Sequence, residues 1–73
     1  MARAFIGTLE CEVHVDRDLG ETWAVTVVPP PPKKGERVIP NLVVKLIGDD
    51  RDKSTAGALE ILQKRGQIDR FEL

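Results

Sequence analysis

Residues 5 to 16 keep a strict two-residue beat. Phe5, Gly7, Leu9, Cys11, Val13 and Val15 fall on one parity, and Ile6, Thr8, Glu10, Glu12, His14 and Asp16 on the other. A period of two is the period of a strand, whose successive side chains point to opposite faces. The stretch therefore reads as one long strand with a dry face and a wet face. The dry face needs a covering layer, and the rest of the chain has to supply it.

Asp16 to Glu21 carries turn formers, including Gly20, and reads as a hairpin loop. A second strand runs from Thr22 to Val28, with Trp23, Val25 and Val27 sharing one face. That parity places Trp23 under the covering layer. The strand stops at Pro29-Pro30-Pro31-Pro32, because proline cannot donate to a ladder and favours an extended polyproline conformation. A third strand is expected between Arg37 and Ile47. Pro40 marks its early part as an edge or bulge, and the apolar run Asn41 to Ile47 suits a central or doubly covered position. Gly48 to Arg51 ends it.

A helix is expected from about Lys53 to Arg65, with Asp52 or Ser54 as the cap. Thr55, Ala58, Leu59 and Leu62 form one apolar stripe, and Gly66 is a natural stop. Ile68, Phe71 and Leu73 in the tail leave a short fourth strand or a docked extended segment open. The stripe is the only lid these elements provide. The expected fold is a small α+β two-layer sandwich. It has an antiparallel sheet of about three strands, ordered β-β-β-α, with one helix on one face.

The chain has 73 residues, enough for a single domain spanning residues 1–73 and little more. Chains of this size hide only about 60% of their unfolded surface, so a partner or a second copy would add to stability. Eleven basic and twelve acidic side chains leave no overall field for nucleic acid. The lone cysteine, Cys11, allows no internal disulfide. Met1 to Ile6 lacks the apolar run of a signal peptide, and no stretch approaches the ~20 apolar residues of a membrane span. The expectation is a cytoplasmic protein that does not engage membranes.

Cys11 and His14 have the spacing of a metal pair, but on one strand they point to opposite faces and cannot share an ion. Glu10, Glu12, His14 and Asp16 do share a face, at about 7 Å between successive members, which reads as a solvated acidic stripe. No nucleophile motif or phosphate loop is present, and no cofactor is called for. Pro29-Pro30-Pro31-Pro32-Lys33-Lys34 fits a short polyproline ligand pattern, equally explained as a stiff loop.

The stretch from Gly48-Asp49-Asp50 to Ala58-Leu59-Glu60 resembles the strand-to-helix junction of HicB-type antitoxins. The order of strands then helix is similar to that of double-stranded-RNA-binding domains. These are resemblances of fold order, and no functional residue is carried over from them.

The sequence thus reads as a non-enzymatic protein-interaction or accessory module. Its expected interaction surface is Glu10, Glu12, Thr22, Thr26 and Lys45 on the uncovered sheet face. The partner is another protein or a second copy, paired through the proline-free first strand or through an apolar patch of Ile6, Ala24, Val43 and Ile47. The alternative is a nucleic-acid-binding or regulatory domain with Lys33, Lys34, Arg51 and Lys53 as its basic contacts, extended by Lys64 and Arg65.

Overall fold

In the computed structural model, which describes residues 2–73, the alternating N-terminal stretch is two strands rather than one. They are β1 (Arg3–Ile6) and β2 (Leu9–Arg17), joined by Gly7-Thr8. Gly7 adopts φ +59, the left-handed conformation that a glycine-first two-residue hairpin turn requires. Met1, where the expectation about a leader begins, lies outside the described residues.

The turn changes which side chains are dry. Cross-strand partners share a face, and Ile6 pairs with Leu9, Ala4 with Cys11, and Phe5 with Glu10. Ile6 therefore joins Leu9 and Cys11 on the core side, while Phe5 lies on the outer face. The expected parity holds from Leu9 onward and inverts before Gly7.

The remaining elements are β3 (Thr22–Val28), β4 (Leu42–Ile47), α1 (Arg51–Lys64) and β5 (Arg70–Glu72). The class is α+β, with an antiparallel sheet and one helix, but the sheet has five strands rather than about three. Their order is β4-β3-β2-β1-β5. The chain crosses from one edge to the other through α1, which packs on β3 and β4 alike.

Ala4, Cys11, Val25, Val27, Val44, Ala58, Leu59, Leu62 and Ile68 form the buried core. The helix contributes the expected stripe, with Thr55 also buried. It starts two residues earlier than expected. Asp50 is the cap, its carboxylate accepting from the Asp52 and Lys53 N–H groups at 2.9 and 3.1 Å. At the other end Gly66, at φ +75, donates to the Gln63 carbonyl while Gln67 N–H reaches Leu62 C=O. This is a Schellman closure. It turns the chain so that Ile68 drops into the core and β5 pairs along β1.

β4 begins at Leu42 rather than Arg37, since residues 37–41 form no ladder. It is an edge strand, not a central one. Leu42, Val44 and Leu46 face the helix, while Val43, Lys45 and Ile47 are exposed. Trp23 shares the face of Val25 and Val27 but is only half-buried. It sits at the end of the β2–β3 ladder opposite Arg17, whose guanidinium lies 5.5 Å from the ring centre. Its indole N–H donates to Gly48 C=O at 3.0 Å. It borders the core instead of filling it.

Candidate functional site

The helix covers one face of the sheet, and no described element covers the other. Register places Glu10, Glu12, Thr22, Thr26 and Lys45 together on this outer face, with Phe5, His14, Asp16, Ala24, Val43 and Ile47 among them. The sheet thus brings together the five residues singled out as an interaction surface. Each reaches it by alternation along its own strand.

The acidic stripe on this face is partly paired with its neighbours. Arg3 Nη1 donates to Glu10 Oε1 at 2.9 Å, and His14 Nε2 lies 3.0 Å from Glu12 Oε2. Glu10 beside Arg3 holds the guanidinium still further toward its charged form. Arg70 bonds Glu72 at 3.3 Å and lies over the Phe5 ring at 3.8 Å. Lys45 Nζ reaches Asp18 Oδ2 at 3.2 Å. These exposed pairs each add little to stability. Their effect is to hold Glu10 and Lys45 in ion pairs around Thr22, Ala24, Thr26 and Val43, while Asp16 has no partner among the described residues.

The expected apolar patch is only partly there. Val43 and Ile47 are 54% and 82% exposed, and Ala24 lies beside them opposite Lys45. Ile6 is absent from the patch because the Gly7 turn carries it to the core side. The proposed pairing edge also changes. β2 lies between β3 and β1 in the sheet, and β1 is itself covered by β5. β1 covers β2 only from Leu9 to Glu12, so the free stretch on that side shortens to Val13–Arg17, which pair with β3 and with no other described strand.

Cys11 and His14 are on opposite faces, as strand geometry requires: Cys11 is buried in the core and His14 is exposed. Burial pushes the Cys11 thiol up from its ordinary value.

The basic residues do not converge. Lys33 and Lys34 lie in the exposed arm 29–41, which joins the sheet at the Val28 and Leu42 ends. Arg51 and Lys53 follow Ile47, at the opposite end of β4. Six strand residues separate the two groups, a distance of about 20 Å. Lys64 and Arg65 lie at the far end of the helix from Arg51.

The depressions in the surface are open grooves. One of about 540 Å³ lies between Val13 and Val15 on β2 and Arg51, Asp52 and Thr55 on α1. Another of about 270 Å³ is framed by Glu10, Glu12, Val28 and Pro29 to Pro31. The second groove shows what the proline run does structurally: it leaves β3 at Val28 and passes along the rim of the outer face.

Asp69 was not visible as a key residue in the sequence. Its carboxylate accepts from the Gly7 N–H, its own N–H donates to Phe5 C=O at 2.8 Å, and its carbonyl accepts from Gln63 Nε2 at 3.1 Å. It ties the tail to the β1–β2 turn. A single aspartate after a helix stop carries no pattern that signals a partner 62 residues away.

No protein-family model matches the chain, and comparisons with curated proteins and with solved structures find no match.

Proposed function

We propose that this protein is a non-catalytic interaction module that binds another protein, or a second copy of itself, through the uncovered side of its sheet. One observation carries the reading. Glu10, Glu12, Thr22, Thr26 and Lys45 lie on one open face, where Glu10 and Lys45 are held in ion pairs and the gaps between charges are small or apolar. A partner covering it meets few lone charges, whose burial is the costly step in forming an interface. Added burial also suits a chain with so small a core. Cys11, partnerless and buried, is compatible with a reducing cytoplasmic setting.

The test is site-specific photo-crosslinking in the native host. A crosslinking side chain at Thr26 should yield discrete protein adducts. The same side chain at Asp52 or Gln67, both exposed and away from this face, should not. Equal labelling from all three sites, or none from Thr26, would overturn the reading.

A further inference from the structure

Among the described residues, three of the five exposed large apolar side chains, Val38, Val43 and Ile47, lie on β4 or just before it. β4 is also an edge: it pairs with β3 on one side and with no described strand on the other. The backbone bonding shows which of its groups are free. Asp18 N–H donates to Thr22 C=O, and Gly48 N–H to Glu21 C=O, both at 2.8 Å. Backbone groups alternate in direction along a strand. Even-numbered residues of β2 and β3 therefore bond each other, and odd-numbered residues of β3 bond even-numbered residues of β4. Leu42, Val44 and Leu46 are thus satisfied by β3. The N–H and C=O groups of Val43, Lys45 and Ile47 point outward to the open edge.

Resting on the interaction-module reading, we propose that this edge pairs with the same edge of a second copy. The two antiparallel β4 strands meet about a two-fold axis at Val44 and form one continuous sheet. The register follows from charge and length. Centring the axis on Lys45 would set Lys45 directly against its own copy, which is destabilising in a cross-strand pair. Centring it on Val43 would pair only Leu42 to Val44 within the strands. Centring it on Val44 pairs Leu42 to Leu46 on both sides. Lys45 then faces Val43 of the second copy, and Leu42 faces Leu46. Val43 and Lys45 form the hydrogen-bonded pairs through the groups that point outward.

The helix layer fits the same axis. α1 packs on β3 and β4 alike, and a two-fold axis normal to the sheet at the β4 edge sets both helices on the same side of the joined sheet. The flank they present is slim: Gly57, where an added Cβ would come 3.3 Å from Leu46 Cδ1, with half-buried Ile61 one turn on.

Sedimentation equilibrium of the full chain from ~1 to ~100 μM, where a micromolar contact fills, tests the proposal together with two variants. Val43 is exposed, so Val43→Lys and Val43→Glu should both melt like the parent when dilute. Val43→Lys places lysine against Lys45 twice and should raise the dimer Kd roughly tenfold, from two cross-strand pairs. Val43→Glu places a carboxylate there instead and should leave Kd unchanged or lower. Amide exchange gives a second reading. The Val43 and Lys45 amides should gain protection with concentration, while those of Leu42, Val44 and Leu46 stay protected throughout. A monomer mass up to ~100 μM overturns self-pairing, as does a dimer indifferent to both variants with the Val43 and Lys45 amides freely exchanging. Crosslinks from Thr26 to a different protein alongside a monomer mass would reject this inference and leave the interaction-module reading standing.

Discussion

Ile68 is the residue on which the C-terminal segment turns. It is 2% exposed and packs in the core, although it lies beyond the helix in the tail, where Phe71 is half-buried and Leu73 exposed. Ile68→Ala removes three carbons, about 2.4 kcal/mol of transfer free energy at ~0.8 per carbon. The cavity left behind brings such substitutions into the ~2–5 kcal/mol range. A loss of about 3 to 4 kcal/mol is expected. The whole chain has roughly 4 to 11 kcal/mol of stability on the usual per-residue scale, so the effect is large. Urea unfolding followed by far-ultraviolet circular dichroism and Trp23 fluorescence measures it directly. Ile68→Val, expected at ~0.5–1.5 kcal/mol, supplies a number if the alanine variant does not fold. Leu73→Ala is the control: at 69% exposure it should fall within about 0.5 kcal/mol of the parent. An Ile68→Ala protein within that same margin would show that the tail is not docked. It would also remove the basis for β5 and for the Asp69 bonds.

Asp50→Ala should destabilise the helix by about 1 kcal/mol, whereas Asp52→Ala should cost less, which a pair of urea curves would show. Gly7→Val puts a branched side chain at φ +59 and should cost at least ~1 kcal/mol by strain alone; a variant as stable as the parent would contradict the two-residue turn. For Cys11 the folded thiol titrates above the unfolded one, so the folded state holds its proton more tightly. That stability is present at neutral pH and declines as pH rises past the free thiol value of about 8.5. Comparing urea midpoints at neutral and alkaline pH, the parent should lose more than Cys11→Ala, and its thiol should react slowly with a thiol reagent until urea unfolds the chain.

Local pattern alone determined much of this protein. Alternation marked β2 from Leu9 onward and β3 in full, and it set Glu10, Glu12, Thr22 and Thr26 apart from Cys11, Val25 and Val27. The stripe of Thr55, Ala58, Leu59 and Leu62 marked the helix and its buried face, and Gly66 marked its end. These features depend on neighbours within one or two turns of chain, so a linear reading reaches them. The same reading ran Phe5 and Val15 into one strand, because Phe5 is apolar and shares the sequence parity of Leu9, although the two-residue turn swaps which parity faces the core. Only the register of Ile6 on Leu9 moves Ile6 inward and Phe5 outward. Likewise the apolar run from Leu42 to Ile47 suits a central strand by composition. That it is an edge was decided elsewhere, by β2 and β3 pairing as a hairpin and by the tail taking the place beside β1. Asp69 and Ile68 acquire their roles from partners across the molecule. The sequence by itself determined the α+β class, the helix and the outer face. The tertiary structure decided the strand count and which strands, β4 and β5, lie at the edges, because edges and registers belong to the sheet as a whole and to no single segment.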